Sequence, residues 1–289
     1  MPNAITLFKK YIDNLDEVYK LASKTSVLDG DSSLAQAGAN TNEIVIPKMT
    51  MDGLADYSRN GGYVTGNVNL TNETVKFNYD RGRKFNVDRM DNEETAGVAF
   101  GKLASEFIRT QVVPELDAFR FATYAAVSGI NKESGSLTTG SGVLDAIATG
   151  LNAMDEEEVP SDQRYLFITP TLHRLIDTLD TYKSKDVLTG FAGIVDIPQP
   201  RFVTAIDMKD GTTPGEESGG FAKATGAKDI NFFILYKPAL LQYSKHIVNK
   251  VIDPDTNQEA DAWAFFYRAY GLVDVYENKV KGLYLHNKA

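Results

Sequence analysis

The chain has 289 residues, a formal net charge of −9, 24% charged and 43% hydrophobic residues, and no cysteine. This is the composition of an ordered globular protein long enough for one large or two moderate domains, and it excludes intrinsic disorder. The missing cysteine excludes disulfides, Cys-ligated zinc and thiol catalysis, and the acidic balance excludes tight wrapping of nucleic acid, so that any contact with nucleic acid is weak or confined to a basic patch.

Near the N-terminus, Ile5, Phe8, Ile12, Leu15, Val18 or Tyr19, and Ala22 recur at spacings of three and four, which predicts a helix with one apolar face in need of a partner. Charges throughout this segment exclude a signal peptide, and no window of the chain has the apolar length of a membrane span, so the protein is expected to be made in the cytoplasm. The small, polar stretch 29–42 reads as an extended linker.

Glu43 to Met49 predicts a short strand interrupted at Pro47. Leu54 to Met90 then alternates loosely, with Asn60-Gly61-Gly62 as the best turn, and reads as a long hairpin with no core of its own. Asn69-Leu70-Thr71 and Asn72-Glu73-Thr74 match the glycosylation pattern but read as polar turn segments. Arg59, Lys76, Asp80, Arg81, Arg83, Lys84, Asp88 and Arg89 crowd the same region. Two readings stand: a solvated hairpin with ordinary surface charge, or a projecting arm whose mixed charges dock on a neighbour. Mixed signs favour protein over DNA as the docking surface.

Asp91 to about Val127 predicts a long helix, with Asp91-Asn92-Glu93-Glu94 suited to its first turn. Its apolar stripe contains Val98, Leu103, Phe107, Ile108, Val112, Leu116, Phe119 and Tyr124. Glu106, Arg109, Glu115, Asp117 and Arg120 read as a polar, solvent-facing side. Pro114 removes an amide donor near the centre and predicts a bend or local break.

The second half changes character. Ser128 to Ser141 reads as a joint, Gly142 to Met154 as a short helix, Arg164 to Thr169 as a buried strand, and Pro170-Thr171 as the start of another helix. Strands are expected at Arg201 to Ile206, Asn231 to Tyr236 and Leu241 to Tyr243, and a surface loop at Asp210 to Gly220. Ala262 to Tyr276 is strongly strand-forming, and must be central in a sheet or completed by a neighbour. The whole reads as an α+β protein.

Motifs for chemistry are scarce. His173, His246 and His286 sit in separate contexts. The run starting at Asp253 begins like a calcium loop, but Gln258 and Ala264 stand where glycine and glutamate are needed, so it reads as a turn. No phosphate-binding glycine pattern or nucleophile elbow is present. No catalytic, metal or cofactor residue is nominated.

The order of these elements resembles the major capsid proteins of tailed double-stranded DNA bacteriophages, the HK97-type family. The segments that carry the resemblance are Arg164 to Pro170 with the helix after it, Gly190 to Pro198, Asn231 to Tyr236 with Lys237-Pro238-Ala239-Leu240, and Asp261 to Val275. The resemblance implies an N-terminal arm over 1–42, a peripheral-domain strand and E-loop hairpin over 43–90, and a spine helix over 91–130. It implies a mainly axial domain over 131–240 and return strands, mainly of the peripheral domain, over 241–289. It further implies self-assembly into hexamers and pentamers of an icosahedral virion shell, built in the host bacterial cytoplasm, with a portal protein, a separate scaffolding protein, a possible decoration protein, and double-stranded DNA held by weak contact. Arg59, Lys76, Arg81, Arg83, Lys84, Asp88 and Arg89 become the expected inter-subunit contacts, Arg81, Arg83 and Lys84 pairing with carboxylates of an adjacent subunit, and Pro114 the bend of the spine. The alternatives are an encapsulin-type cellular nanocompartment and a hydrolase with an unrecognised site.

Overall fold

In the computed structural model, which describes residues 23–30, 36–37, 43–94, 98–179 and 182–289, two cores form along one long helical segment. The amphipathic stripe from Ile5 to Ala22 lies outside the described residues. A short helix, α1 (Arg89–Glu94), precedes the helical segment, which itself comprises α2 (Val98–Phe107) and α3 (Val113–Ala126), with a wide π-turn, Ile108–Val112, joining the two. Pro114 sits in the first turn of α3. Its ring crowds the carbonyl four residues back and it offers no amide. The turn holding that carbonyl is opened, so that the Val113 amide reaches the Ile108 carbonyl five residues back. The proline therefore marks a local widening inside an otherwise helical backbone.

A three-stranded sheet in the order β11-β12-β4 lies against the first part of this segment, built from β4 (Tyr79–Asp88), β11 (Leu240–Ile252) and β12 (Ala262–Val275). Period-two alternation turns Phe265, Tyr267 and Ala269 of β12 inward with Tyr79 and Phe85 of β4, against Ala104, Ile108, Val112 and Leu116 of the helices. The strongly strand-forming β12 is central, so both of its edges are covered within the chain.

The second part of the helical segment packs on a five-stranded sheet in the order β5-β13-β10-β6-β7. Its strands are β5 (Asn131–Ser134), β6 (Arg164–Ile168), β7 (Gly193–Asp196), β10 (Ile230–Tyr236) and β13 (Leu283–Asn287). The apolar run Phe232–Leu235 of β10 follows from burial on both faces. Phe233 and Leu235 meet Phe121 and Tyr124 of α3, while Phe232 and Ile234 meet Val143 and Ile147 of α4 (Gly140–Glu156) and Leu172 of α5 (Pro170–Asp177). A further helix, α6 (Tyr182–Thr189), follows α5.

Several expectations are corrected. The hairpin pairs β2 (Glu43–Met51) with β3 (Val68–Lys76), in register from Glu43 opposite Lys76 to Met51 opposite Val68. It is therefore not formed by Leu54 to Met90. A two-residue strand, β1 (Gln36–Ala37), joins the β2 edge within the expected linker, opposite Val45 and Ile44, and β2 runs on through Pro47 rather than being interrupted there. Tyr79 to Asp88 leaves the hairpin to pair with β12, because its inward Tyr79 and Phe85 complete that core. Arg201 to Ile206 is not a strand: its start closes a short 3-10 turn, and the strand beyond it, β8 (Ile206–Met208), pairs with β9 (Phe221–Lys223). β11 has 13 residues, well beyond Leu241 to Tyr243, and the expected joint contains β5. Glu115, Asp117 and Arg120 are only 8%, 0% and 2% exposed, so they form no solvent-facing side.

Candidate functional site

The β2–β3 hairpin is anchored at its base and bare at its end. Ile44 and Val75 are buried against Leu241, Tyr243 and Leu272, and Lys48 forms a 2.9 Å ion pair with Glu277. Beyond this point Met49, Met51, Leu54, Tyr57, Tyr63, Val64, Val68 and Leu70 are all exposed, Leu54 and Tyr63 the most, at 108% and 89%. Scattered exposed apolar side chains are ordinary, but a cluster of them at one end of one element is a contact surface.

That end is locally ordered. The Gly62 amide donates to the Ser58 carbonyl at 2.8 Å, and the Gly61 amide to the Ser58 hydroxyl at 3.1 Å. Gly62 takes a positive φ of 75°, the conformation that favours glycine in a tight turn. The rings of Tyr57 and Tyr63 meet across it at 4.8 Å. Below them, the Asn67 amide donates to the Asp52 carboxylate at 2.7 Å. The turn expected at Asn60-Gly61-Gly62 is thus the point at which the hairpin reverses.

The expected contact residues divide into two groups. Arg59 lies in the exposed tip, and Lys76 is exposed in register with Glu43. The others are held by their own chain. Arg81 grips Glu115 with two hydrogen bonds, at 2.7 and 3.2 Å, and the Tyr79 hydroxyl donates to the same carboxylate at 3.3 Å. Burial first and the Glu115 charge second push the Tyr79 phenol well above its ordinary range. Arg83 donates to the Glu217 carbonyl at 2.8 Å, and Lys84 pairs with Glu259. Asp88 accepts from the Met90 amide at 2.9 Å, and Arg89 reaches Asp255 at 3.1 Å and Asp261 at 3.7 Å.

The Asp210 to Gly220 loop folds over β4, where Arg81 also reaches the Gly220 carbonyl at 3.2 Å. Asp210 accepts from the amides of Thr212 and Thr213 and from the Thr213 hydroxyl, which holds its carboxyl well below the usual range. Between this loop, β4 and the helical segment runs an open groove of about 750 Å³, with Phe85, Leu103, Phe107 and Tyr267 among its apolar lining and Lys102 and Glu106 among its charged groups.

Sequence reasoning missed a buried polar junction beneath the arm. Asp117 accepts from the Ser23 hydroxyl (3.0 Å), the amides of Lys24 (3.1 Å) and Thr25 (3.3 Å), the Thr25 hydroxyl (2.6 Å) and Arg201 (3.0 Å). Arg120 donates to the Thr25 hydroxyl at 2.7 Å and to Asp29 at 3.1 Å, and Gln242 donates to the Thr25 carbonyl at 2.9 Å. Residues 23–29 are thereby fastened to α3, β11 and the 3-10 turn ahead of β8. One signal was present: Arg120 stands four residues from both Leu116 and Tyr124, members of the apolar stripe, and so shares their face.

His173 and His286 have structural partners. His173 Nδ1 lies 2.7 Å from Asp196, and His286 packs with Asn231 at 3.0 Å and stacks on Phe232 at 5.0 Å. Burial, opposed by Glu133, lowers the His286 pKa. The Thr256 amide donates to Asp253 at 2.8 Å, which makes that segment a turn. Among the described residues no group of three or more His, Cys, Asp or Glu side chains is arranged to hold a metal ion, and no helix is long and apolar enough to cross a membrane.

No protein-family model and no curated protein matches the sequence. Solved structures match the fold. A chain from Gordonia phage Cozz aligns with a TM-score of 0.59 at 15% identity, over 92% of this chain and 87% of that one. A chain from the capsid of Cyanophage P-SCSP1u aligns at 0.56 and 15%, over 88% and 85%. A chain of a virus-like particle from Pyrococcus furiosus aligns at 0.55 and 12%, over 97% and 99%. The α+β architecture is the HK97-type capsid fold.

Proposed function

We propose that this chain is the shell-forming protein of an icosahedral phage head, assembling as hexamers and pentamers around double-stranded DNA. The observation that carries this reading is the hairpin end, whose large apolar side chains stand exposed, with no surface among the described residues packed over them. Covering Leu54, Tyr57, Tyr63 and Val64 contributes roughly 1.5–3 kcal/mol per fully buried side chain, enough in sum to offset much of the entropic cost of joining two subunits. The likeness to a chain named as a phage capsid supports the reading. The groove beside α2 and the π-turn, concave and part-apolar, suits the hairpin end of a second copy.

Around that contact, Arg59 and Lys76 are placed to meet carboxylates of the neighbour. Arg81, Arg83, Lys84, Asp88 and Arg89 act first within the chain, and reach a neighbour only with what their own partners leave exposed. The wide turn before Pro114 is the point at which the spine accommodates different shell states. Such a head forms in a bacterial cytoplasm and implies a portal, a scaffolding protein and, in some shells, a decoration protein as partners.

Negative-stain microscopy of the protein expressed with its neighbouring genes tests the proposal. Icosahedral shells are expected, and a compact particle that stays monomeric at every concentration rejects it. A second reading, a cellular cargo-holding shell of the encapsulin type, draws on the nearly end-to-end match to a chain described as a virus-like particle. Shells that enclose protein cargo and no DNA would select it.

A further inference from the structure

Four places in the chain set glycine directly after aspartate or asparagine: Asp29-Gly30, Asp52-Gly53, Asn60-Gly61 and Asp210-Gly211. Glycine has no side chain to shield its amide nitrogen, so that nitrogen can attack the side-chain carbonyl carbon of the residue before it. At three of the four places the attack is blocked twice over. The side chain is a carboxylate, whose charge repels a nucleophile, and hydrogen bonds hold it in place. Asp29 is held by Arg120 and Gln242 at 3.1 and 2.6 Å, Asp52 by the Asn67 amide, and Asp210 by Thr212 and Thr213.

Asn60 differs on both counts. Its side chain is an uncharged amide with no hydrogen-bond partner among the described residues, exposed in the turn that Ser58 and Gly62 close. Asparagine in such a position is thermally labile, and exposed loop tips are the least restrained part of a chain. The contact to be released before attack is the exposed one from the Gly61 amide to the Ser58 hydroxyl.

We propose that Asn60-Gly61 is a site of spontaneous deamidation, which turns a free subunit into a more acidic form with a weakened contact surface. Base removes the Gly61 amide proton, and the nitrogen bonds to the side-chain carbonyl carbon of Asn60. The bond from that carbon to the side-chain nitrogen breaks, and this nitrogen leaves as ammonia with a proton from water. Water then opens the succinimide ring at either carbonyl, which leaves aspartate or β-linked isoaspartate at position 60. Nothing is oxidised or reduced, and water is the only co-reactant.

The product adds a carboxylate to the turn that the Tyr57 and Tyr63 rings span, and its β-linked form also lengthens the backbone there. Burying that charge against a neighbour carries a desolvation cost that the amide does not. A tip already covered by another copy is fixed and short of water, so assembly should protect Asn60. Only this consequence for assembly rests on the shell reading.

The test ages the unassembled full-length protein at neutral and alkaline pH, with isoelectric focusing and mass spectrometry of the tryptic peptide 60–76 as readouts. Wild type is compared with Gly61→Ala and Asn60→Asp. A methyl group at Gly61 would lie 3.4 Å from the Ser58 hydroxyl, and the backbone there is not left-handed, so Gly61→Ala keeps the turn while shielding the nitrogen. Each converted wild-type molecule should move one charge more acidic than the formal −9, faster as pH rises. Gly61→Ala should stay unconverted at position 60 over the time that converts most of the wild type, with an unchanged melting temperature. Asn60→Asp, a fixed copy of one product, should melt like the wild type and assemble with lower yield. Wild type that stays unmodified at position 60, or Gly61→Ala that converts equally fast, overturns the proposal. Full shell yield from Asn60→Asp overturns the effect on the contact surface. Conversion in a protein that forms no shells under any condition leaves the modification site standing and removes the shell reading alone.

Discussion

The hydroxyl of Thr25 lies 2.6 Å from the carboxylate of Asp117, 92 residues later in the chain and fully buried. This contact makes the root of the N-terminal arm part of the molecular interior rather than a tether. One carboxylate collects two hydroxyls, two backbone amides and one arginine, and those donors come from the arm and from the turn ahead of β8. Any rearrangement that frees the arm at this point must leave several buried groups without partners at once.

Asp117→Ala should therefore be strongly destabilising. It leaves Arg201 without its carboxylate and the Lys24 and Thr25 amides without an acceptor, for an expected loss of about 3–5 kcal/mol. Asp117→Asn keeps part of the acceptor capacity and should cost less. Differential scanning calorimetry of the unassembled protein reads both, and limited proteolysis near Lys24 should accelerate in the alanine variant. A melting temperature unchanged by Asp117→Ala would show that the junction contributes little.

This junction shows where sequence reading stops. β6, β10 and β12 were legible because each is an apolar run long enough for a buried strand, and the helical segment because its stripe repeats at three and four. Asp117 and Arg120 looked like surface because a polar residue on a helix has no visible partner when that partner is a threonine far back in the chain. The hairpin register was missed for a related reason. Val68–Lys76 is polar and alternates weakly, so nothing local says whether it pairs forward with β4 or backward across Pro47 with β2. The inward side chains Tyr79 and Phe85 decide it, and their partners on β12 lie almost two hundred positions later.

Arg81 and Glu115 lock β4 to the helical segment, at 2.7 Å and mostly away from water. Arg81→Ala leaves the carboxylate with only the Tyr79 hydroxyl and removes the donor to the Gly220 carbonyl. A loss of about 2–3 kcal/mol is expected, at or below the lower end for a broken buried pair because the arginine is partly exposed. Hydrogen exchange should also quicken over residues 209–220. Stability loss without faster exchange there would separate the pair from the loop.

His286 should make the five-stranded sheet sensitive to mild acid. Its pKa is depressed in the folded protein, chiefly by burial, with Glu133 opposing, while in the unfolded chain it lies near 6.5. Below that value the unfolded chain takes up a proton that the folded chain resists, so stability is complete above about pH 6.5 and falls as pH drops toward the folded value. The limiting slope for one proton is about 1.4 kcal/mol per pH unit. His286→Gln, which can still accept from Asn231, should flatten the melting temperature between pH 7.5 and 5. An identical pH profile in the variant would assign the acid sensitivity elsewhere.

Pro114→Ala separates stability from assembly. Alanine restores the amide and removes the ring that crowds the preceding turn, so the π-turn can tighten toward α geometry. The unassembled protein should melt at a higher temperature by an amount equivalent to about 1–3 kcal/mol. Shells, where they form, should differ in shape or in their expansion, measured by cryo-microscopy and by mobility on native gels. An unchanged expansion profile would remove the role proposed for this turn.

The hairpin end supplies the sharpest test, because its side chains contribute to assembly and almost nothing to the fold. Leu54 and Tyr63 are bare in the single molecule, and surface changes of this kind usually alter stability by no more than about 0.5 kcal/mol. Leu54→Ser/Tyr63→Ser should therefore melt like the wild type yet fail to form shells, sedimenting as single subunits. Because the chain has no cysteine, Tyr63→Cys paired with Gln111→Cys in the groove forms a clean reporter. A disulfide between copies should appear only on assembly and join hairpin end to groove. Shells that form without that cross-link would place the hairpin on another surface of the neighbour, and normal shells from the serine variant would remove the hairpin from the contact altogether.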